Sequence, residues 1–276
     1  MTGTLLDVND PVRRTVRAEP VMGTVVSLDL RGAGDHEVAI ADAVAWFHEV
    51  DRRFSPYLPD SETSRHGRGE IAGGDRSPEL AEILTACEAV TLASGGAFDA
   101  WRGGRFDPSA FVKGWSAERA AGLLRARGCV DWSINAGGDV LLSGHPEPGQ
   151  PWRVGVQHPF DRTAIATTVQ GTDLAVATSG TYERGRHIVD PVSGDAVHEA
   201  VSVTVIGPDL GLADAYSTAA FVLGPEGPAW IAGIGAYESY TVWADGRVTA
   251  TAGFPANVHG VPVTMVPHAA GHLGAA

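Results

Sequence analysis

The part of the sequence after Gly128 constrains the fold most strongly, because short apolar stretches there alternate with glycine-rich or polar turns. Short runs rich in β-branched and aromatic residues, bounded by turn residues, are typical of strands. The pattern predicts strands at residues 132–135, 140–142, 152–156, 163–170, 174–178, 187–189 and 201–206. It therefore indicates a largely antiparallel sheet in this part of the chain.

Helical patterns lie on both sides of this region. Apolar residues recur at helical spacing at residues 35–54, 77–94, 114–127, 209–223 and 227–233, and further strands are predicted at 25–30 and 239–243. Residues 1–18 are polar and are predicted to form a loose arm. Because helices and strands alternate without a repeat or a clear linker, the predicted fold class is α+β, with mixed, largely antiparallel sheets and packed helices, in a single domain over residues 19–276.

The charge of the chain limits its partners. Its 276 residues carry a formal net charge of -13, and an acidic surface repels phosphate backbones and anionic lipid. Nucleic acid is therefore not an expected partner. An anionic ligand would need a compensating device, such as a bound divalent cation, a local basic residue or a helix N-terminus.

The sequence also bears on location and on thiol chemistry. Neither a signal peptide nor an apolar run of membrane-spanning length is recognisable, which predicts a cytoplasmic protein without membrane insertion. The two cysteines, Cys87 and Cys129, lie in apolar, helix-like segments without a Cys-x-x-Cys motif. They are predicted to be buried and inert.

One pair of oxygen-bearing side chains has the spacing of a metal site. Asp214 and Thr218 are four residues apart in a predicted helix, so the carboxylate and the hydroxyl lie on one face, as ligation of Mg²⁺ by hard oxygens requires. The alternative is a solvated helix cap beside a packed hydroxyl. The pair by itself does not decide between them.

Several loops beside strands carry further candidate residues. In the turn Asn135-Ala136-Gly137-Gly138-Asp139, paired glycines allow close approach of a ligand and leave backbone N–H groups for a phosphate, although a tight hairpin turn explains them equally well. Tyr57 is a candidate for stacking on a flat heterocycle, or it packs on its own neighbours. Lys113 is either a surface lysine or a cation for a diphosphate. His187, in the stretch RGRHIVDP, is either a catalyst or the polar edge of a strand.

Taken together and in order, these motifs resemble those of the FAD:protein FMN transferases, also called ApbE-type flavin transferases. The resemblance runs from about residue 20 to 224 and rests on Met22-Gly23-Thr24, Ser55 and Tyr57 with Asp60-Ser61-Glu62, Gly95-Gly96-Ala97-Phe98-Asp99, Asp107 with Lys113-Gly114, Asn135-Ala136-Gly137-Gly138-Asp139, Val154-Gly155-Val156 with His158-Pro159, Ala177-Thr178-Ser179-Gly180, His187-Ile188-Val189-Asp190-Pro191 with Gly194, and Ala213-Asp214-Ala215 with Ser217-Thr218. It implies an ApbE-like, T-fold-related architecture.

The resemblance also implies roles for single residues. Those matching positions that hold FAD are Met22, Tyr57, Ala97, Phe98, Asp99, Asp107 and Lys113, to which the glycine turn and the Thr-Ser-Gly motif add Gly137, Gly138 and Ser179. Asp214 and Thr218 match Mg²⁺ ligands, with contributions at the positions of Ala110 and Ser217. His187 matches the catalytic base.

The implied activity is Mg²⁺-dependent transfer of FMN from FAD to a threonine or serine hydroxyl of an acceptor protein, with release of AMP. Only seven residues separate Asp99 from Asp107, where the family has a longer segment. Two alternatives therefore remain open. With water as the nucleophile the same site would hydrolyse FAD to FMN and AMP, or a shortened site would bind flavin without catalysis.

Overall fold

A computed structural model describes residues 13–181, 191, 194, 197–255 and 263–268. Its helices are α1 (His36–Phe54), α2 (Glu62–Gly67), α3 (Pro78–Ala93), α4 (Ser109–Ala126), α5 (Leu210–Leu223) and α6 (Gly227–Ile234). Its strands are β1 (Arg14–Val21), β2 (Thr24–Arg31), β3 (Trp101–Arg102), β4 (Arg105–Phe106), β5 (Asp131–Ala136), β6 (Asp139–Ser143), β7 (Trp152–His158), β8 (Asp161–Gly171), β9 (Leu174–Gly180), β10 (Ala200–Gly207), β11 (Glu238–Trp243), β12 (Val248–Thr251) and β13 (Val263–Val266).

A nine-stranded sheet organises the molecule, in the order β1-β2-β5-β6-β9-β10-β11-β12-β13. Neighbouring strands pair antiparallel except for β12 and β13, which are parallel. The strands β7 and β8 form a separate hairpin, as do the two-residue strands β3 and β4. The predicted α+β class with a largely antiparallel sheet is confirmed.

The two faces of the sheet carry different cores. Successive side chains of a strand point to opposite faces, and on β6 the side chain of Leu141 lies in the helix-side core with Phe47 and Phe221. Its neighbours Val140 and Leu142 lie in a second core with Trp152, Val156 and Val169 of the β7–β8 hairpin. The helices therefore cover one face of the sheet and the hairpin covers part of the other.

Close packing of α4 on α5 positions the site. Gly114 in α4 is buried, and a Cβ atom added there would overlap the Leu210 carbonyl and lie 2.6 Å from the Gly211 amide nitrogen. The start of α5 is capped by two carboxylates, since the Leu210 amide donates to Glu118 (2.8 Å) and the Leu212 amide donates to Asp209 (2.7 Å). Glycine at position 114 thus allows the two backbones to approach, and α4 supplies part of the cap of α5.

The buried Glu118 carboxyl makes stability depend on pH. Burial raises the pKa of Glu118 and outweighs the hydrogen bond from the Leu210 amide. Ionisation therefore costs more in the native than in the unfolded state, so stability is lost as the pH rises from the ordinary glutamate pKa through the raised one. Glutamine cannot ionise, so Glu118→Gln escapes this loss. We expect the Tm of Glu118→Gln relative to that of wild type to be about 1–3 °C higher at pH 7 than at pH 4. Thermal unfolding at both pH values, with exposed Glu88→Gln as control, measures it; a constant difference would contradict the expectation.

Several element bounds differ from prediction. The predicted arm is wrong for Arg14–Ala18, which belong to β1; β1 is mostly exposed and is held by pairing with β2 along its whole length, which its polar sequence does not reveal. The helix predicted to begin at Gly114 begins at Ser109, whose amide donates to the Asp107 carboxylate (3.2 Å). Five further elements were not predicted: α2, which is capped by Ser61, and the strands β3, β4, β12 and β13. The predicted strand 187–189 lies outside the described residues, and the single-domain boundary at 19–276 stays a prediction.

Two other sequence-based expectations bear on the described residues. Both cysteines are buried, as predicted, and burial raises the pKa of Cys87 to about 12, so its thiol stays protonated. No helix in the part of the chain that the structure describes has the length and hydropathy of a membrane span.

Candidate functional site

A cavity of about 590 Å³ lies where the first turn of the sheet, the ends of α1 and β9, the start of α4 and the middle of α5 meet. The structure brings nine of the fifteen predicted site residues to its wall: Met22, Tyr57, Asp107, Ala110, Lys113, Gly137, Ser179, Asp214 and Thr218. These residues come from distant parts of the sequence. The convergence is therefore a property of the fold.

A lysine between two aspartates forms the charged centre of the cavity. The Lys113 ammonium forms an ion pair with Asp139 and lies 3.4 Å from the Asp214 carboxylate. Both aspartate side chains are buried, at 3% and 6% exposure, whereas Lys113 is 28% exposed. Burial alone would lower the pKa of Lys113, but the two carboxylates outweigh it and raise the pKa, so the ammonium is charged at neutral pH. Lys113 is therefore not a free surface lysine, and its role as a cation for a diphosphate stays a prediction.

Asp139 is a site residue that the sequence reading missed as a functional side chain. Its carboxylate pairs with Lys113 and accepts a hydrogen bond from the Thr178 amide at 3.0 Å. It stands at the end of the Asn135–Asp139 motif, directly after the two glycines, and this position was the available signal. Asp139 therefore links the charged centre to β9.

Hydroxyl groups line the wall beside Asp214. The Ser179 hydroxyl lies 2.8 Å from that of Ser217 and 3.1 Å from that of Thr218, and Ser217 also donates to the Asp214 carbonyl at 2.9 Å. These contacts join the end of β9 to α5. Ser217 is fully buried and reaches the site through Ser179 and Thr218 rather than through the cavity surface.

The donor set fits a small, hard cation. One carboxylate and neighbouring hydroxyls supply only oxygen, the ligand type that Mg²⁺ prefers, and Mg²⁺ commonly completes its shell with water and substrate phosphate. Within the described ranges, no group of three or more His, Cys, Asp or Glu side chains could hold a metal by itself. Asp214 and Thr218 are therefore compatible with a cation that takes its remaining ligands from elsewhere.

An exposed aromatic ring stands at the cavity rim. Tyr57 is 74% exposed, and the Arg105 guanidinium lies over its ring, 5.3 Å from the centroid. Arg105 also donates to the Pro56 carbonyl, which fixes it beside the loop. Tyr57 does not bury itself among its neighbours, and most of its ring remains available for stacking.

The glycine turn is one of the two structures that the sequence allowed, a tight hairpin. Gly137 and Gly138 have positive φ angles of 63° and 104° and join β5 to β6, as the φ > 0 pair of a type I′ hairpin does. Their amides are engaged, since Gly137 donates to the Val25 carbonyl (3.2 Å) and Gly138 to the Asn135 side chain (2.8 Å). Of the two alternatives, the tight hairpin turn is therefore the one observed, and its glycine N–H groups are not free for a phosphate. Gly137 contributes space, since a Cβ there would lie 2.5 Å from the Thr24 hydroxyl.

The remaining predicted residues lie elsewhere. Ala97 and Phe98 are buried, with Phe98 in a third core that also contains Phe54 and Trp115, and the Asp99 carboxylate accepts a hydrogen bond from the Trp101 amide at 2.8 Å. Gly138 faces a second cavity. His187 lies outside the described residues, so its role as the base stays a prediction.

The comparison with protein families decides the relationship. The ApbE family model matches residues 22–104 and 102–240, which together cover most of the chain. The chain belongs to the ApbE family. The two matched stretches meet at the β3–β4 turn, in the short segment between Asp99 and Asp107.

Individual ApbE relatives share part of the chain. It is 32% identical over 130 residues to the FAD:protein FMN transferase of Vibrio cholerae, covering 44% of this chain and 39% of the relative. It is 35% identical over 130 residues to that of Escherichia coli K12 (44% and 37%) and 31% identical over 204 residues to that of Treponema pallidum (63% and 56%). The chain thus spans about two fifths of the length of the first two relatives.

Solved structures agree with the fold. The flavin transferase ApbE of Vibrio cholerae superposes with a TM-score of 0.73 at 21% identity, covering 87% of this chain and 97% of that one. The ApbE flavinyl transferase of Pseudomonas stutzeri gives 0.77 at 23% identity, covering 90% and 97%. These likenesses establish an ApbE-like architecture.

Proposed function

We propose that this protein transfers FMN from FAD to a threonine or serine hydroxyl of an acceptor protein and releases AMP. The observation that carries the proposal is the convergence of Lys113, Asp214 and Thr218 on one cavity, in a chain of the ApbE family. Relatives of the family are named FAD:protein FMN transferases. A cavity of about 590 Å³ falls in the range usual for cofactor sites.

The charges of the cavity support a requirement for a divalent cation. Among the residues that the structure describes, its wall carries the carboxylates of Asp51, Asp107 and Asp214 and the ammonium of Lys113. An FAD diphosphate would meet net negative charge there, which costs free energy in a partly buried site. Mg²⁺ held by Asp214 and Thr218, with Ser217 and the position of Ala110 contributing, would supply charge neutralisation of the diphosphate and of the leaving phosphate.

The protein's own residues would bind and orient the substrate. Tyr57 offers a ring face at the rim for a flat heterocycle, and Met22 lies on the cavity wall. Lys113 is held in place by Asp139 and Asp214, so its ammonium faces the phosphates without reorganisation. The hydroxyl network of Ser179, Ser217 and Thr218 keeps β9 and α5 at fixed separation.

The reaction exchanges one phosphorus–oxygen bond for another. The acceptor hydroxyl oxygen forms a bond to the FMN-side phosphorus while the bond from that phosphorus to the bridging oxygen breaks, and AMP carries the electron pair away. The hydroxyl proton passes to a base, for which we propose His187. General base catalysis of this kind is worth about 10²- to 10⁴-fold.

Hydrolysis of FAD is the competing reaction of the same site. The segment between Asp99 and Asp107 forms only the two-residue strands β3 and β4, which favours entry of water if the longer family segment covers the flavin. Water would then replace the acceptor hydroxyl and free FMN would result. A flavin-binding protein without turnover is the third outcome.

One assay separates these outcomes. The protein is incubated with FAD, MgCl₂ and a protein extract of the source organism, then AMP is quantified and gels are inspected for covalent flavin fluorescence. A fluorescent acceptor band together with AMP supports transfer; AMP and free FMN without a labelled protein indicate hydrolysis. The His187→Ala variant should lose the activity. FAD binding without AMP release, equal in wild type and variant, would overturn both enzyme readings.

The proposed reaction is assigned to the cytoplasm, as the sequence analysis predicts. Cell fractionation followed by immunodetection tests the assignment. Recovery of the protein with membranes or with the cell exterior would contradict it.

A further inference from the structure

A second cavity of about 370 Å³ lies on the face of the sheet opposite to the helices. Its floor consists of side chains from β5, β6 and β9, namely Ser133, Asn135, Val140, Leu142, Val176 and Thr178. Its side is β7. The floor is mixed, with buried valine and leucine side chains beside exposed Asn135, so it offers both apolar and hydrogen-bonding contacts.

The second cavity follows the edge of β7. Six consecutive residues, Trp152 to Gln157, line it, whereas no residue of β8 does. Alternate residues of a strand point to opposite faces, so a consecutive run lines one cavity when that cavity runs along the strand edge. Among the described residues, β7 pairs only with β8. Its other edge therefore presents main-chain donors and acceptors to the cavity.

The two cavities adjoin each other. Thr178 of β9 lines both of them. In the turn between β5 and β6, Gly137 lines the first cavity and its neighbour Gly138 lines the second. A chain bound in the second cavity would thus lie beside the wall of the first cavity, at Thr178 and at the turn between β5 and β6.

One cation, Arg153, lies on the wall of the second cavity in this acidic protein. Arg153 is the only charged residue on its wall, is exposed, and makes no side-chain hydrogen bond or ion pair with any residue that the structure describes. The chain has a formal net charge of -13. An unpaired guanidinium here is suited to a carboxylate or a main-chain carbonyl of a bound chain.

We propose that the second cavity binds the acceptor protein through an extended segment, which pairs with the free edge of β7 and carries the target hydroxyl past Thr178 into the first cavity. Addition of a strand to an open sheet edge is a common mode of peptide recognition, in which main-chain hydrogen bonds provide affinity and side-chain pockets provide specificity. Arg153 anchors the segment and Ser133 lies beneath it. This inference rests on the proposed transferase function.

The test uses the acceptor identified in the transfer assay and a ten-residue peptide centred on its labelled residue. In Arg153→Glu the KM for the peptide rises at least tenfold, since attraction becomes repulsion, while the Kd for FAD stays within twofold of wild type. Arg162→Glu, with the same charge change on β8 away from the second cavity, keeps the wild-type KM. A second variant, Ser133→Phe, fills the floor and raises the KM in the same way, with its melting temperature checked first.

The outcomes separate this inference from the proposed function. Transfer to the peptide with unchanged KM in both variants overturns the acceptor site while the transferase function stands. An equal rise in Arg153→Glu and Arg162→Glu also overturns it, because the effect would then be one of net charge. If wild-type protein labels no acceptor and FAD is only hydrolysed or bound, the proposed function fails and the acceptor site fails with it.

Discussion

The Asp214→Asn variant is expected to transfer FMN at least about 10²-fold more slowly than wild type, the size of effect seen when one electrostatic contact to a developing charge is removed. Asp214 supplies the one carboxylate of the oxygen cluster with Thr218 and Ser179, and it lies 3.4 Å from Lys113. Asparagine keeps the size of the side chain but removes the charge that would hold a divalent cation. On the proposed function, the cavity would then lose the cation that offsets the diphosphate.

Rate and cation dependence are measured together. AMP release from FAD is followed as a function of MgCl₂ concentration, and the half-saturating concentration should rise in Asp214→Asn. Asp75→Asn, on an exposed turn remote from the cavity, is the matched control. Asp139 still pairs with Lys113 in the variant, so the melting temperature should change little. A variant retaining a third or more of the wild-type rate would show that Asp214 does not hold the cation.

The Gly114→Ala variant is expected to lose about 2 kcal/mol of stability, a cost typical of overpacking. The new Cβ would overlap the Leu210 carbonyl and approach the Gly211 amide, so α4 and α5 must separate. Separation moves Lys113 away from Asp214, and FAD binding should weaken as well. The expected fall in melting temperature is about 5 °C.

A glycine on the same helix provides the control. Gly122 is exposed, and a Cβ added there would meet nothing within 4 Å. Gly122→Ala should therefore stabilise the protein by ~0.5–1 kcal/mol through higher helix propensity. Thermal and denaturant unfolding of both variants test the pair. Equal effects at the two positions would show that close packing of α4 on α5 is not what requires Gly114.

The predicted elements succeeded where a periodic pattern was strong. The helices at 35–54, 77–94 and 209–223 and the strands β5 to β11 were recognisable because their apolar residues repeat at helical or strand spacing. Strand β1 was missed because its residues Arg14–Val21 are mostly exposed and are held by hydrogen bonds to β2, which leave no hydrophobic pattern. The start of α4 at Ser109 depends on a local hydrogen bond to Asp107 that the apolar pattern does not report.

The candidate site, too, could be predicted from the sequence only in part. The order of the motifs predicted the family and most of the residues that line the cavity. A polar residue beside a glycine turn can be recognised from the linear sequence alone. The role of Asp139 could not be predicted from the sequence. Its carboxylate pairs with Lys113 only because β6 and α4 lie close together in the fold. The sequence left open whether the glycine amides face a phosphate or belong to a hairpin, because their hydrogen bonds to Val25 and Asn135 are contacts that composition does not encode.

By itself, then, the sequence determined the α+β class, the acidic charge and the family motifs, since periodicity, composition and motif order are properties of a linear chain. Only the tertiary structure decided that Lys113 stands between Asp139 and Asp214, that Phe98 belongs to the core, and that β7 leaves an edge beside a second cavity. Each of these depends on which distant elements pack together. That choice is made by the burial of complementary surfaces over the whole fold.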